Sequence, residues 1–469
     1  MDQMRPMDLP NYFLADLPPE AVISPAMITE ACQTLKRNRA QYLAGRTTED
    51  LIEVLDRIGA SWRRPDYGLR RFALEHGPAA LRFSRQTLER GLDDFFSELT
   101  AENLKALVIQ EVGHPQRLDG MAATASERAR NRSASARGPA LVAHITAGNI
   151  PNPALASMIF SLLARSAQFV KCGRGTSLLP RLFAHSIYEA DSKLAACIEL
   201  AEWPGGSVDF ESALFAEAGC VTATGTDSTL DAIRQRLPVG TRFIAHGHRV
   251  SFGFIASPSA TGATARRIAR DAAADIAAWD QHGCLSPHVI YVEKNGAVAP
   301  EQFAALLAEE LARQEIEMPR GNLELAESTT ITLKRDFYRV RAAVCGDSGT
   351  EPETKLWCSE GSTAWTVVYE DDPLFHVSCL NRFIHVKCAA NLADALHHAA
   401  LFEGKVSTVA LAAPEEQARE LAITLSRWGV TRICPFGRMQ RPPLGWRHDG
   451  QPPLAGLLTW TDWERSEDI

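Results

Sequence analysis

The spacing of apolar residues along the chain changes near residue 140. Before that point, residues 20–118 carry apolar side chains at intervals of three and four, as in "SPAMITEACQTLKRNRAQYLA" and "TAENLKALVIQEV". This is the spacing of amphipathic helices. Thr100, the first residue of the second segment, stands where a helix N-cap is expected. The pattern therefore predicts a mostly helical N-terminal region.

A short polar segment separates this region from the rest of the chain. Residues 119–138, "DGMAATASERARNRSASARG", are small, polar and basic. Such a composition is typical of connections on the surface rather than of core elements. We expect an exposed hairpin or loop over residues 119–138.

From residue 140 onward, apolar runs alternate with helix-like segments. The first strand-like runs are "ALVAHITAGN", "AQFVKCG", "CVTATGT" and "RFIAHG", and a second series includes "PHVIYVE", "RFIHVKC", "VSTVALA" and "TRICPFG". Strands that alternate with helices predict a mostly parallel sheet with right-handed crossovers. We expect an α/β protein with a first domain over residues 1–252, a second over 253–440 and a C-terminal tail over 441–469.

Composition narrows the class of protein. Hydrophobic residues make up 45% and charged residues 23% of the 469 residues, as in an ordinary globular protein. The net charge of -8 argues against nucleic-acid binding, which needs a surplus of cations. The longest apolar run, residues 154–164, is too short to span a bilayer, which takes roughly 20 residues. The first residues show no basic segment followed by an apolar one, so we expect no signal peptide.

The ten cysteines are scattered and form no C-x-x-C pair. In a chain of this length, the pattern is typical of reduced thiols rather than of a disulfide framework or a zinc site. We therefore predict a cytoplasmic protein without a metal centre.

One cysteine lies at a junction between elements. Cys284, in "AWDQHGCLSPHVIYVE", stands between a helix-like segment and a strand-like run. Loops at such junctions often display catalytic groups. A free cysteine is, however, commonly a small buried apolar residue. The local sequence leaves both interpretations open.

A long stretch of the chain has no carboxylates. Between Asp231 and Asp271 there is no Asp or Glu, although seven arginines and the pair His246 and His248 occur there. The stretch is either a buried strand with a solvated basic helix or a region close to phosphates. The two histidines have no third ligand at metal-binding spacing.

Two glycine-containing turns come directly after predicted strands. They are "KCGRGTS" at 171–177 and "TATGTDS" at 222–228. Each is either an ordinary turn or a place where backbone N–H groups and a helix N-terminus meet a pyrophosphate.

Taken together, these segments resemble the aldehyde dehydrogenase superfamily. The resemblance is carried by "VAHITAGNIPNPAL", "FVKCGRGTS", "VTATGTDST", "FIAHGHRVSFGF" and "WDQHGCLSPHVIYVE", in that order. Within the superfamily, "WDQHGCLSP" and "GRMQRPPLGWRHDGQPPLAGLLTWTD" are similar to the LuxC-type long-chain acyl-CoA reductases, which supply aldehyde for bacterial luminescence. The resemblance implies an aldehyde dehydrogenase-like α/β fold with a Rossmann-type cofactor domain and an α/β catalytic domain. It also implies an oligomerisation hairpin near residues 119–138, and hence a homo-oligomer.

The resemblance also assigns roles to residues. Cys284 matches the nucleophile and Asn149 the asparagine that helps to hold the oxyanion. The glutamate that activates water in hydrolytic relatives is replaced near Ala245, which agrees with a reductase that needs no water. A second glutamate, which contacts the nicotinamide ribose in the family, would fall near Ser378, and this chain has no glutamate there. His448 is either a proton donor or a packed residue of the tail.

The cofactor residues implied by the resemblance lie in the two glycine-containing turns. Lys171 matches the lysine that meets the adenosine ribose, and Thr224 and Gly225 match the start of the nucleotide-side helix. Arg174, together with Lys171, is placed to meet a 2′-phosphate. We therefore expect NADPH as cofactor, with NADH as the alternative.

The function implied is reduction of a medium- or long-chain acyl-CoA or acyl-protein to the aldehyde through a thioester on Cys284. The resemblance allows a separate acyl-protein synthetase as partner. Two alternatives stay open: an NAD(P)-dependent aldehyde dehydrogenase that works without CoA, and a non-redox acyl carrier or transferase that holds the acyl group on Cys284.

Overall fold

A computed structural model describes residues 9–18, 20–148, 150–348 and 353–466. Its helices are, in chain order, α1 (Pro25–Asn38), α2 (Thr48–Arg63), α3 (Gly68–Leu81), α4 (Arg85–Glu98), α5 (Ala101–Val112), α6 (Ala125–Arg128), α7 (Asn152–Leu163), α8 (Leu178–Ala190), α9 (Ser192–Ala195), α10 (Val208–Glu217), α11 (Asp227–Arg234), α12 (Gly262–Ala277), α13 (Pro300–Glu317), α14 (Leu325–Ser348), α15 (Leu392–His398) and α16 (Glu415–Arg427).

The strands are, in chain order, β1 (Arg132–Arg137), β2 (Leu141–Ile145), β3 (Ala167–Cys172), β4 (Ile198–Glu202), β5 (Cys220–Thr224), β6 (Arg242–His246), β7 (Val250–Ile255), β8 (Pro287–Glu293), β9 (Thr354–Cys358), β10 (Thr366–Glu370), β11 (Phe383–Ala389), β12 (Val406–Ala412), β13 (Arg432–Cys434) and β14 (Thr459–Glu464). The alternation of strands and helices after residue 140 is as predicted, and so is the helical character of the N-terminal region.

The chain divides into two compact units. The first comprises Met1–Leu81, Leu92–Gly247 and Pro443–Ile469, and the second comprises Arg82–Gly91 and His248–Pro442. The boundary thus lies before β7 rather than at the predicted position after residue 252, because β7 pairs with β8 and β12 of the second unit. The C-terminal tail returns to the first unit instead of standing apart.

The first unit contains a five-stranded parallel sheet in the order β4-β3-β2-β5-β6. Every residue of β2 and β3 is buried, as expected for parallel strands covered on both faces. The chain proceeds from β2 outward to β4 on one side and then resumes at β5 on the other. In open parallel sheets, such a reversal of direction leaves a crevice at the carboxyl ends of the two strands where it occurs, here β2 and β5.

The helices before the sheet begin where polar caps stand. The Thr100 hydroxyl accepts a hydrogen bond from the Asn103 N–H at 3.3 Å, which confirms the predicted start of α5. Ser24 and Thr47 cap α1 and α2 in the same way.

The segment over residues 119–138 is only partly the hairpin that its composition predicts. Ala122 and Ala134 exchange two antiparallel backbone hydrogen bonds at 3.0 and 2.9 Å, and the chain between them contains α6. The main partner of β1 is instead β14, with Arg132 opposite Glu464 in the antiparallel register. That partner comes from a segment far along the chain, which local composition does not reveal.

The second unit is built on a seven-stranded sheet in the order β13-β12-β7-β8-β11-β10-β9. All neighbouring strands are parallel except β9 and β10. Helices α12 and α13 contribute to one apolar cluster, and α15 and α16 contribute to a second. Among the residues that the structure describes, no helix has the length and apolar character required to cross a membrane.

Candidate active site

Three predicted cofactor residues lie at one edge of the first unit's sheet. In the register of the strands, Lys171 of β3 and Ala223 of β5 both pair with Ile145 of β2. Thr224 is the last residue of β5, and Gly225 comes next in the chain. Asn149, the predicted oxyanion residue, lies outside the described residues. The carboxyl edge of the sheet therefore brings Lys171, Thr224 and Gly225 together.

Lys171 is a buried cation at this edge. Only 4% of its surface is exposed. Burial lowers the pKa of its ammonium group, and the Glu211 carboxylate opposes the shift. Arg174 lies three residues later in an exposed turn. The two cations thus stand at different depths around the same turn.

The glycines around this edge differ in what they permit. A Cβ atom added to Gly225 would meet Thr229 only at 3.5 Å, an ordinary contact, so packing does not demand glycine there. A Cβ atom on Gly148 would approach the Thr176 Cγ2 atom to 2.9 Å. Gly175 has a φ of +74°, with open space where a Cβ atom would stand. A buried lysine beside two glycine-containing turns is a set of residues that could hold a nicotinamide dinucleotide.

The end of β6 carries an unforeseen histidine–aspartate pair. His246 is the last residue of β6 and comes directly after Ala245, the position that the resemblance assigns to the glutamate of hydrolytic relatives. Its Nδ1 atom lies 3.3 Å from the Asp449 Oδ2 atom. Asp449 has a φ of +51°, and 1% of its side chain is exposed. Gln451 fixes the same tail segment by donating from Nε2 to the Ala245 carbonyl at 3.3 Å.

His448 joins this pair through its ring. The imidazoles of His246 and His448 are stacked with centroids 4.1 Å apart and an interplanar angle of 9°. Potential ligand atoms of His246, His448 and Asp449 lie within 4.8 Å of one another. The in-plane lone pairs of stacked rings lie in separate, nearly parallel planes and so do not meet at one point, whereas a metal ion needs ligands that converge on it. We therefore interpret the group as a hydrogen-bonded pair with a stacked neighbour.

A second histidine cluster lies in the other unit. Glu370, His376 and His385 also bring ligand atoms within 4.8 Å. Glu370 accepts a hydrogen bond from the Lys387 ammonium at 2.6 Å, and both side chains are fully buried. A metal cation would meet that ammonium, so the charge of Glu370 is already balanced by Lys387.

Cys284 lies in a turn that precedes β8. The thiol-bearing residue is half-buried. Its carbonyl accepts a hydrogen bond from the Ser251 hydroxyl at 2.7 Å, and Ser251 in turn accepts one from the Thr408 N–H at 3.1 Å. On the other side, the Ser286 hydroxyl accepts a hydrogen bond from Gln440 Nε2 at 2.6 Å. The turn is thus fixed to β7, β12 and the segment after β13.

Two left-handed turns support the cysteine. Residues 279–281 and 380–382 are two runs of three in which every φ lies between 48° and 69°, and none of the six residues is glycine. Left-handed backbone costs about 1–2 kcal/mol for each such residue. Such strain persists where surrounding contacts fix the conformation, and it is concentrated at functional sites.

The contacts that fix these turns join one turn to the other. Arg382 donates from Nε and Nη2 to the Asp280 Oδ1 atom at 2.9 and 2.7 Å. The Gln281 amide accepts from the Phe383 N–H and donates to the Phe383 carbonyl, each at 2.9 Å. His282 and Asn381 are hydrogen-bonded at 2.9 Å. We call these contacts the Asp280–Arg382 latch.

The latch extends beyond the two turns. Arg382, which is fully buried, also donates from Nη1 to Glu315 Oε2 and to the Met318 carbonyl, both at 2.9 Å. Asp280 accepts a further hydrogen bond from the Gly321 N–H at 3.0 Å. The backbone just before Cys284 is therefore tied to α13 and to the chain immediately after it. None of the latch residues was predicted from sequence.

Ser378 has a structural role in this unit. Its hydroxyl donates to the Phe383 carbonyl and accepts from the Leu380 N–H at 2.9 Å. Its own N–H donates to His288 Nδ1 at 3.2 Å. Burial lowers the pKa of His288 to about 4, with a contribution from His248, so this imidazole is neutral near pH 7.

Five of the seven arginines of the carboxylate-free stretch have described partners that are carboxylates or backbone carbonyls. These are Arg236 with Glu211, Arg242 with Gly456 and Leu458, Arg249 with Gly404, Arg266 with Glu309 and Arg270 with Asp271. These contacts favour a solvated basic surface over a phosphate-binding cluster.

The sequence is similar to a known family over most of its length. A family described as "Acyl-CoA reductase (LuxC)" matches residues 43–460. The long-chain acyl-protein thioester reductase of Photorhabdus laumondii is 22% identical over 327 residues, and that of Vibrio harveyi is 21% identical over 325. Each alignment covers 69% of this chain and 63% and 64% of the respective relative. The match thus spans less than two thirds of these relatives' length.

The fold is similar to that of aldehyde dehydrogenases. An NAD-dependent benzaldehyde dehydrogenase from Corynebacterium glutamicum superposes with a TM-score of 0.69 at 13% identity, covering 94% of this chain and 91% of the other. A bifunctional proline utilization A (PutA) protein superposes with a TM-score of 0.71 at 14% identity, covering 94% of this chain and 45% of the other. The expected aldehyde dehydrogenase-like α/β fold is therefore confirmed.

Proposed function

This chain belongs to the acyl-CoA reductase (LuxC) family, and from that premise we propose that it reduces a fatty acyl thioester to the fatty aldehyde through a thioester on Cys284. The observation that carries the proposal is the position of Cys284. It is half-buried at the end of a strained turn that the Asp280–Arg382 latch fixes. A nucleophile must be accessible and must be held in a defined orientation. The strained backbone that holds Cys284 costs free energy, and a cysteine with only a packing role does not need it.

The proposed chemistry begins with the thiolate of Cys284. Its sulfur attacks the thioester carbonyl, a new C–S bond forms, and the C–S bond to the carrier breaks. The Asn149 side chain is proposed to donate to the oxyanion, and loss of one such donor typically costs about 10²–10³ in rate. A nicotinamide cofactor, if bound, would supply the hydride for reduction of the acyl group on Cys284. Cys284 then leaves as thiolate from the thiohemiacetal, and the aldehyde is released.

The residues proposed to hold the cofactor are Lys171, Arg174, Thr224 and Gly225. The buried ammonium of Lys171 and the exposed guanidinium of Arg174 support NADPH, because both can meet a 2′-phosphate. NADH is the alternative, and titration of the chain with each cofactor distinguishes the two.

The reaction consumes one proton, because the carrier leaves as a thiol. His246 and Asp449 support a proton carrier at the end of β6. We propose that Asp449 accepts a hydrogen bond from His246 Nδ1 and thereby directs the other ring nitrogen, Nε2, to hold the exchangeable proton. His448, stacked on His246, is proposed as a packing partner rather than as the donor.

The acyl group is proposed to arrive as acyl-CoA or on a protein. Acyl-protein delivery is supported by relatives named long-chain acyl-protein thioester reductases, and it would require an acyl-protein synthetase as partner. We also propose a homo-oligomer, which light scattering of the purified chain measures.

The test is oxidation of NADPH with tetradecanoyl-CoA, together with transfer of a radiolabelled acyl group to the protein. We expect thioester-dependent oxidation with release of aldehyde, and loss of both signals in Cys284→Ala. Cys434→Ala is the matched control, because burial raises the pKa of that thiol to about 11. Acyl labelling that survives in Cys284→Ala would refute the assignment.

The other two functions give different results in the same experiment. An aldehyde dehydrogenase independent of CoA would oxidise aldehyde efficiently without a thioester. A non-redox acyl carrier would be labelled by acyl-CoA on Cys284 but would not bind a nicotinamide cofactor.

A further inference from the structure

One carboxylate at the carboxyl edge of the first unit's sheet has no part in the proposed chemistry. Glu202 is the last residue of β4 and lies beside Cys172 in the parallel register. Its Oε2 atom accepts a hydrogen bond from the Gly175 N–H and its Oε1 atom one from the Ser177 N–H, both at 3.1 Å. The side chain is half-buried, so a ligand can reach it. Glu202 thus closes the turn that contains Arg174.

The position of this carboxylate matters because of what it binds. Ser177 immediately precedes α8, and N–H groups at the start of a helix are the donors that phosphates commonly use. At this site, the Ser177 N–H and the Gly175 N–H of the preceding turn already face a negative charge. Burial raises the pKa of the Cys172 thiol to about 12, and the charge of Glu202 contributes to that shift. The negative charge of Glu202 therefore acts on the end of β3, next to Lys171.

The two reduced cofactors differ at the adenosine ribose, the group that the resemblance places beside Lys171. A ribose with free hydroxyls can donate hydrogen bonds to carboxylate oxygens, which is how acidic residues select NAD in dinucleotide-binding folds. A 2′-phosphate carries negative charge and has no such donor, so a neighbouring carboxylate repels it. Lys171 and Arg174 act in the opposite direction.

We propose that Glu202 sets the balance between NADH and NADPH in this chain. It lowers the affinity for NADPH relative to NADH, against the attraction of Lys171 and Arg174, so that the site accepts both cofactors. The inference rests on the proposed function, because it concerns the cofactor of the same site.

The test is a fluorescence titration of the full chain with NADPH and with NADH, which requires no turnover. The variants are Glu202→Gln and Glu202→Ala, since the amide retains a hydrogen-bonding group and the methyl group retains none. Glu199→Gln is the matched control: it removes a carboxyl group of the same strand that instead accepts from the Leu14 and Leu200 N–H groups.

In both Glu202 variants, we expect the ratio of NADPH affinity to NADH affinity to rise about tenfold, as removal of one nearby like charge predicts. The ratio should not change in Glu199→Gln. If Glu202 only shapes the turn, both affinities fall together and more in the alanine variant, with the ratio unchanged, and this result overturns the inference alone. If the wild-type chain binds neither cofactor, the inference and the proposed function both fail.

Discussion

Replacement of Arg382 by methionine removes the cationic half of the Asp280–Arg382 latch. Arg382 is fully buried and donates four hydrogen bonds, two of them to Asp280. The substitution keeps an apolar side chain of similar length but leaves the Asp280 carboxylate buried with only the Gly321 N–H as a described donor. The perturbation is therefore one of charge and hydrogen bonding rather than of volume.

The size of the effect is set by this burial. Removal of one partner from a buried ion pair costs about 3–5 kcal/mol. We expect that loss in the free energy of unfolding of Arg382→Met. Asp280→Asn/Arg382→Met should lose much less than the sum of the two single variants, because it leaves neither charge alone. Arg339→Met, which breaks the exposed pair with Asp336, should cost less than about 1 kcal/mol.

Loss of the latch should also slow the reaction in molecules that are fully folded. When the latch is broken, the six left-handed residues can relax, and the turn that carries Cys284 shifts. A displacement of about 1 Å of a reacting group costs about 10²-fold in rate. We expect that loss in the rate of acyl transfer to Cys284 under conditions in which the variant is fully folded.

Urea unfolding followed by circular dichroism measures the stability, and single-turnover labelling with acyl-CoA measures the transfer. Additive losses in the double variant would refute the pairing of Asp280 with Arg382. A folded Arg382→Met variant that labels at the wild-type rate would refute the role of the latch in positioning Cys284.

Two further predictions concern the first unit. Asp449→Asn should lower kcat by about 10²-fold and change its pH profile, with KM for the thioester little altered, because general acid catalysis contributes about 10²–10⁴ in rate. Steady-state kinetics between pH 5 and 9 test this. An unchanged pH profile would exclude the proton-carrier role of His246. Burial raises the pKa of Glu199 to about 7 from an ordinary value of 4.5, so the folded state binds a proton more tightly than the unfolded state. The contribution of this group to stability is therefore full below pH 4.5 and decreases as pH rises toward 7. Glu199→Gln should remove this decrease, so the urea midpoint should fall less between pH 5 and pH 8 in the variant than in the wild type. An equal change of the midpoint in both proteins would contradict the prediction.

The periodicity of the chain predicted most of its strands because parallel strands are locally apolar. It did not predict the boundary between the units, because β7 was not recognised as a strand and the predicted boundary after residue 252 falls inside it. Only its pairing with β8 and β12 assigns it to the second sheet. Membership of a sheet is a long-range property that a local pattern does not contain.

The proposed site depends on both kinds of information. Cys284, Lys171 and Gly225 are proposed from the sequence because each stands in a motif of contiguous residues. Asp280 and Arg382 lie about a hundred positions apart, and their pairing arises only in the folded sheet. Glu202 was missed for the same reason, since its partners Gly175 and Ser177 belong to the turn after a different strand. The segment "SCLNRF" does, however, contain both Asn381 and Arg382 of the second left-handed turn within a few contiguous residues.

The pairing of β1 with β14 has a consequence for biosynthesis. Residues 132–137 leave the ribosome long before residues 459–464. At synthesis rates of about 5–20 residues per second, the earlier strand waits roughly 15–65 s for its partner. During that interval its edge is open to other polypeptides, including nascent copies on the same message. Conditions that slow elongation should therefore increase the demand of this chain for chaperones, and early release by truncation before residue 459 should leave β1 permanently without its neighbour.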